Sequence, residues 1–309
     1  MELRSLYYFT VVAEELNITK AAERLNMTQP PLSSQLKQLE QELGVTLLDR
    51  SRHGMELTPE GQLLLERARQ IIELTEKSKA EVENMGKGMN GNISVAMVEG
   101  RAPFLLARWI SGYGEEFPNV SFTLWNGSGD DVINRLRQGL ADVAVVAAPF
   151  DTESLHSVEI GSEPWVALIS KYNPLSEKYG DEIPLKALAG ERLIVPSRPS
   201  RVDAIKRWFA EAGEKPNIIC ELSNYIDAIA LTELDAGVSI FPQTTLTPNP
   251  LIVPKIIVDS SKYVKYALVW NKNRLLGEPA KEFINYVKDS IEGERQLTPK
   301  AQYIIRQYL

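Results

Sequence analysis

Apolar positions recur at helical spacing from the first residues: Leu3, Leu6, Tyr7, Val11 and Leu16 predict an amphipathic first helix. Between Ile18 and Leu43, ITKAAERLNMTQPPLSSQLKQLEQEL predicts two short helices joined by a tight connection. With Leu32 at zero and about 100° per residue, Leu36, Leu39 and Leu43 lie within about 40° of it, an inward stripe of four. Pro30, Ser34, Lys37 and Gln41 lie opposite, with Ser33 and Gln38 on the flanks, so that face is free for a partner. In this reading the first helix of the pair starts at Thr19. Thr28 caps the second, whose Pro30 and Pro31 fit only a first turn. Ala21 and Ala22 permit close crossing, and Gly44 ends the second helix by tolerating positive φ. The unit reads as a helix-turn-helix.

TLLDR and MELT flank Ser51-Arg52-His53-Gly54, which predicts a hairpin, or wing. Thr58-Pro59-Glu60 then starts a helix, with Thr as cap, Pro in the first turn and an acid beside it. Leu64, Ala68, Ile71, Thr75, Ser78, Val82 and Met85 follow at alternating spacings of four and three before Gly86, a heptad seam. Such a helix of about 27 residues extends roughly 40 Å, which predicts dimerisation through it. Past the junction Lys87-Gly88-Met89-Asn90-Gly91, short runs such as NISVAMV, VSFTLW, DVAVVA, WVALIS, RLIVP, NIICEL, VSIFP and YVKYALVW appear. Most alternate with helical patterns, predicting right-handed βαβ units and a largely parallel sheet. A last helix restarts at Thr298-Pro299.

Composition narrows the class. The 309 residues suffice for two or three domains, and 44% apolar with 24% charged residues suits a soluble globular protein. With no signal-like start and no apolar run of membrane-spanning length, the expectation is a cytoplasmic protein without a membrane partner. A net charge of −7 argues against an indiscriminate polyelectrolyte binder. Residues 1–60 hold six Lys/Arg against nine Asp/Glu, so attraction to phosphate must come from placement. Cys220 is the sole cysteine and reads as a buried thiol; with two histidines, a structural zinc site is not expected. There is no Walker loop, no G-x-S-x-G elbow and no G-x-G-x-x-G after a strand. No catalytic residue, metal ligand or cofactor is therefore nominated. An α/β enzyme, and a ligand-binding module whose helix-turn-helix serves protein association, are the rival readings.

A recognition helix needs short polar side chains near its start so that its backbone can approach the major groove. Gln29, Ser33, Ser34 and Lys37 meet that need, and Lys20, Arg50 and Arg52 are candidates for phosphate. AAERLNMTQPPLSSQLKQLEQELGVTLLDRSRHGMELTPEG resembles the N-terminal domain of the LysR-type transcriptional regulators, through Ala21, Ala22, Gln29, Pro30, Leu32, Ser33, Leu39, Glu40, Gly44, Leu47, Leu48, Asp49, Arg50, Thr58, Pro59, Glu60 and Gly61. Many members carry Arg where this chain has Ser34. LRQGLADVAVV (Leu136, Gly139, Asp142) and DAGVSIFP (Ala236, Gly237, Ile240, Pro242) resemble the effector domain of the same family.

The resemblance implies an α/β architecture in three parts: a winged helix-turn-helix over residues 1–58, a linker helix over 59–87, and a two-subdomain effector domain over 91–309, built like a periplasmic binding protein. Subdomain I would run from about 91 to 162 and 266 to 309, and subdomain II from about 163 to 265. It implies inverted-repeat promoter DNA as a partner, dimers through the linker helix within a tetramer, RNA polymerase as a further partner, and a small-molecule effector. DNA contacts would come from Lys20, Thr28, Gln29, Pro30, Pro31, Ser33, Ser34 and Lys37, with Arg50, Arg52 and His53 on the wing. Effector contacts would come from loops carrying Glu99, Gly100, Arg101, Asn126, Ser128, Gly129, Ala147, Ser197, Arg198, Ser200, Arg201 and Tyr225. Arg101, Arg198 and Arg201 could grip a carboxylate and Glu99 an amine, which suggests an amino acid or small organic acid. Trp125 and Trp165 read as packing residues, and Asp130 and Asp131 as capping acids.

Overall fold

Helices α1 (Leu3–Glu15), α2 (Ile18–Arg24) and α3 (Gln29–Leu43) build the N-terminal unit. The computed structural model describes residues 1–51, 54–84, 88–243, 249–258 and 263–295. Helix α1 buries Leu6, Phe9, Val11 and Val12, whereas Leu3, Tyr7 and Leu16 are exposed, so its inward face differs from the predicted one. Leu16 occupies a left-handed turn (φ 45°) that redirects the chain into α2, and this turns its side chain outward. The cap of α2 is Asn17, not Thr19: its Oδ1 accepts from the Thr19 and Lys20 amides at 2.9 and 3.1 Å. Thr28 sits at the N-cap of α3, yet its side chain makes no capping bond. Pro30 and Pro31 occupy the positions whose amides such a cap would serve, so nothing is left to bond. Leu32, Leu36 and Leu39 are buried, while Leu43, in the last turn, is exposed; Gly44 follows at φ 71°.

The wing is an antiparallel pair, β1 (Leu48–Ser51) and β2 (Gly54–Leu57), in register from Leu48 opposite Leu57 to Ser51 opposite Gly54. Helix α4 (Pro59–Asn84) follows. Thr58 Oγ1 accepts from the Gly61 amide at 3.0 Å and donates to the Thr46 carbonyl at 2.7 Å. A Cβ on Gly61 would lie 2.1 Å from the Leu47 carbonyl oxygen, so only glycine allows this close approach of α4 to the wing. Part of the predicted seam is covered within the chain: Ala68 is fully buried and Leu64 packs on the N-terminal core. Ile71 and Val82 stay exposed, as do Leu63 and Leu74. Thr75 and Ser78 turn their hydroxyls back to the Ile71 and Leu74 carbonyls. Met85 and Gly86 lie outside the described residues, as do Arg52, His53 and the segment after residue 295.

The remaining chain forms two lobes on one mixed sheet. In the first, β3 (Gly91–Val98), α5 (Ala102–Glu116), β4 (Val120–Gly127), α6 (Gly129–Arg137) and β5 (Val143–Ala147) follow in order, with β4 and β5 both parallel to β3. The 16-residue β6 (Leu155–Ser170) leads to α7 (Leu175–Lys178) and the short β7 (Glu182–Ile183). Next come β8 (Arg192–Pro196), α8 (Pro199–Glu211), β9 (Asn217–Leu222), α9 (Tyr225–Glu233) and β10 (Val238–Pro242), with β9 and β10 parallel to β8. Strands β11 (Ile252–Ile257) and β12 (Tyr263–Asn271) and helix α10 (Glu278–Arg295) return the chain.

The sheet order is β4-β3-β5-β12-β6-β10-β8-β9. Its centre is antiparallel, because β6 opposes β12, β10 and β11, and β12 opposes β5. The expectation of a largely parallel sheet therefore holds, among the described residues, for the two outer trios and the short β7–β11 pair. Leu155 to Pro164 of β6 pair with β12, and Trp165 to Ser170 pair with β10 and β11, so one strand passes from lobe to lobe. The first half of β6 was hidden by its polar and glycine positions, HSVEIGSE, and β11 by Pro254. Cys220 is half-buried rather than buried, on the edge strand β9.

Candidate nucleic-acid interface and ligand cleft

The outward side of α3 is polar and exposed at Thr28, Gln29, Pro30, Pro31, Ser34 and Lys37, with Ser33 half-buried. Lys20 on α2 is exposed as well. The wing is locked to this helix by Glu40, whose Oε1 accepts from the Leu47 and Leu48 amides at 2.8 and 3.3 Å. Glu40 was noted in the sequence only as part of a motif; its work is to hold β1 against the buried side of α3. Other cations are engaged away from this face. Arg24 pairs with Glu14 and Glu15 at 3.0 Å, which raises its pKa, and Arg69 pairs with Glu14. Of Arg50 only the backbone, opposite Met55, is described.

Strand ends from both lobes converge on a cleft. Arg198 reaches from the start of α8 to Asp130 of α6, Nη2 to Oδ1 3.0 Å. Gly129 lies beneath that guanidinium, since a Cβ there would be 2.6 Å from Arg198 Nη1. The cap of α6 is Ser128, whose Oγ accepts from the Asp131 amide, and Asp130 faces Arg198 instead of capping. One turn on from Arg198, Arg201 donates to the Ala148 carbonyl at 3.2 Å and lies over Trp165, 5.4 Å from its centroid. Trp165 is buried edge-on against Trp208, while half-buried Trp125 carries Arg135 over its face.

Two buried groups missed in the sequence complete the cleft. Tyr266 Oη donates to Glu163 Oε1 at 2.5 Å, and both residues are almost fully buried. Burial first, then the Glu163 charge, push the phenol pKa upward. Burial pulls the Arg201 pKa down, Tyr266 opposes the change and Arg198 adds to it; the guanidinium stays charged. Gly100 (φ 93°) leaves room for the Tyr266 hydroxyl, 3.2 Å from where its Cβ would be. The Nε of Arg101 is buried without a hydrogen-bond partner. Ala147 is buried at the end of β5, and Ser197 is half-buried. Glu99, Asn126 and Ser200 are exposed, and Tyr225 packs on the core of the second lobe against Ile194, Ala228 and Phe241. A glutamate within GSEP and a tyrosine in an alternating strand carry no sequence signal for this pairing; only topology joins them.

A winged helix-turn-helix carried on a long helix beside a two-lobed α/β domain is the architecture of a DNA-binding regulator with a second, substrate-binding type of domain. Residues 3–62 match the model of the bacterial regulatory helix-turn-helix proteins of the lysR family, and residues 86–292 match the LysR substrate binding domain. The chain is 33% identical to the HTH-type transcriptional regulator AlsR of Bacillus subtilis (strain 168), over 79% of this chain and 81% of that one. It is 28% identical to BsdA of the same organism, over 92% and 99%. CbnR, a LysR family transcriptional regulator, superposes with a TM-score of 0.78 at 29% identity, covering 94% of this chain and 99% of its own. Full-length CbnR complexed with its target DNA superposes at 0.76, with coverages of 94% and 100%. The chain belongs to the LysR family, whose members are transcriptional regulators and not enzymes. Among the described residues there is no group of three or more His, Cys, Asp or Glu able to hold a metal, and no helix long and apolar enough to cross a membrane.

Proposed function

We infer that this regulator binds inverted-repeat promoter DNA through α3 and the wing, and that a small molecule in the cleft modulates its action. The observation that carries the reading is the division of α3. Leu32, Leu36 and Leu39 are held in the core, and Gln29, Ser34 and Lys37 stand exposed on the other side. Ser33 reaches the groove from the flank, Thr28, Pro30 and Pro31 bring the backbone close, and Lys20, Arg50, Arg52 and His53 contact phosphates or the minor groove. In this reading residues 1–58 form the DNA-binding domain, 59–87 the dimerising linker and 91–309 the effector domain. Exposed Leu63, Ile71, Leu74 and Val82 on α4 support pairing of two copies, which sets two recognition helices about one DNA turn apart. Leu124 and Ile219 on the outer strands β4 and β9, and Ile226 and Leu234 at the start and end of α9, are exposed and support a second interface and a tetramer. RNA polymerase beside the operator is a further partner.

For the effector, Arg198 and Arg201 bring two cations to the lobe boundary, where Asp130 and the Ala148 carbonyl are their present partners. A small carboxylate or amino acid displaces those partners by bidentate contacts. Arg101, the Gly100, Gly129 and Ala147 backbones, Ser128, Ser197, Ser200, Asn126 and Tyr225 surround it, and Glu99 takes its amine. Two experiments test the reading. Selection of genomic duplexes by the full-length protein should enrich an inverted repeat, and enrichment of none contradicts it. A panel of organic acids and amino acids should contain one that raises the melting temperature of the full chain, and no shift with any of them contradicts the effector assignment.

A further inference from the structure

Helix α6 is nine residues long, and both of its ends are held by ion pairs to other parts of the molecule. At its start Asp130 pairs with Arg198 across the cleft at 3.0 Å, with Gly129 under the same guanidinium. Near its end Arg135 pairs with Glu73 of the linker helix α4 and lies 4.9 Å from the Trp125 centroid. Its inner face, Val132, Ile133 and Leu136, is buried in the core of the first lobe, which makes the helix a stiff body.

The turn after α6 continues the grip on the linker. Asp142 pairs through Oδ1 with Lys77 of α4 at 2.9 Å, while its Oδ2 accepts from the Ser94 amide at 2.8 Å. Arg274, after β12, donates to the Gly139 and Ala141 carbonyls at 2.6 and 3.1 Å and pairs with Glu81 of α4 at 2.9 Å. Three linker residues one or two turns apart, Glu73, Lys77 and Glu81, thus meet Arg135, Asp142 and Arg274, charge for charge. Lys77 is largely buried there, and burial lowers its pKa against the opposing pull of Asp142. Parting a buried ion pair of this kind leaves an uncompensated charge, so Lys77 and Asp142 resist separation.

We propose that α6 and its following turn mechanically couple the cleft to the linker helix, the Arg198–Asp130 bridge setting the helix on one side and the Glu73–Arg135, Lys77–Asp142 and Glu81–Arg274 pairs passing its position to α4 on the other. The proposal rests on the reading of the cleft as the effector site: a ligand that takes Arg198 from Asp130 releases the start of α6, and α4 is the element that carries the DNA-binding units. Coupling through a stiff element requires that changes at its two ends be non-additive.

The test is a double-mutant cycle on the full-length protein, read by amide hydrogen exchange of residues 73–82 and needing neither ligand nor operator. Asp130→Asn should speed exchange in that segment about fivefold, although it lies in another element. In a Glu73→Gln, Lys77→Gln, Glu81→Gln background, where all three pairs are broken and exchange is already fast, the same change should add nothing. The swapped pair Glu73→Arg with Arg135→Glu should bring back the response to Asp130→Asn. Equal effects of Asp130→Asn in both backgrounds, or no effect in the parent, would overturn the coupling. Since the readout is independent of DNA, failure to select an operator would strike the functional reading and leave this result standing on its own.

Discussion

The recognition unit and the cleft present their functional groups in opposite conditions. On α3 the polar side chains that face outward are exposed, and the residues that shape the surface, Glu40, Thr58 and Gly61, work from behind it. In the cleft Arg198 holds Asp130, Arg201 holds the Ala148 carbonyl and Tyr266 holds Glu163, and of its arginines Arg101 alone keeps a buried nitrogen, Nε, unbonded among the described residues. One surface is finished and idle, while the other is assembled and self-occupied. A partner can add to the first without rearrangement, whereas a ligand in the second must exchange bonds, and such an exchange is what shifts an equilibrium between two arrangements.

Perturbing the scaffold behind the finished surface should give the largest effect. Gly61→Ala places a methyl group against the Leu47 carbonyl and should destabilise the N-terminal unit by about 3 kcal/mol, seen as loss of its cooperative unfolding step and of DNA binding. In the cleft, Tyr266→Phe removes the donor to a buried carboxylate and should cost about 2 kcal/mol in chemical denaturation. The N-terminal unit should be unaffected by it, which would sharpen the division between the two regions. Glu40→Gln keeps the shape but weakens a charge-assisted contact to two strand amides, at about 1 kcal/mol, measurable as lower operator affinity with little change in the second lobe.

The smallest stability effect should come from the idle face itself. Ser34→Ala and Lys37→Ala are exposed changes worth less than about 0.5 kcal/mol in unfolding, yet both should weaken DNA binding. A pH series separates the regions in another way. The pKa of Tyr266 is raised in the folded state, so its contribution is intact below the ordinary phenol range near about 10 and declines as the pH rises above it. Alkaline loss of stability should therefore fall on the effector domain and be smaller in Tyr266→Phe, as followed by phenolate absorbance.

Legibility in the sequence divided along the same line. The N-terminal unit is built from contacts close in the chain, so the stripe at Leu32, Leu36 and Leu39, the αL residue Gly44 and the Thr58 cap could all be read from spacing. Errors there were local: Asn17 caps instead of Thr19, and Leu43 runs off the end of the stripe. The outer strands of the effector domain were legible as apolar runs and the cleft loops as the residues that follow them. Their pairing was not. Arg198 meets Asp130 across 68 positions and Tyr266 meets Glu163 across 103, and these distances are closed only by the lobe-crossing β6 and the return of β12. Loop position marks which residues can line a site, and topology decides which of them are already engaged.

The most direct test of the finished recognition face is equilibrium binding of the full-length protein to its selected inverted repeat over a salt series, with Ser34→Ala/Lys37→Ala measured beside it. Affinity should fall steeply as salt rises, and the double variant should bind at least about tenfold more weakly, with a shallower salt dependence. Equal affinity and an equal slope for the two proteins would contradict the assignment of that face to DNA.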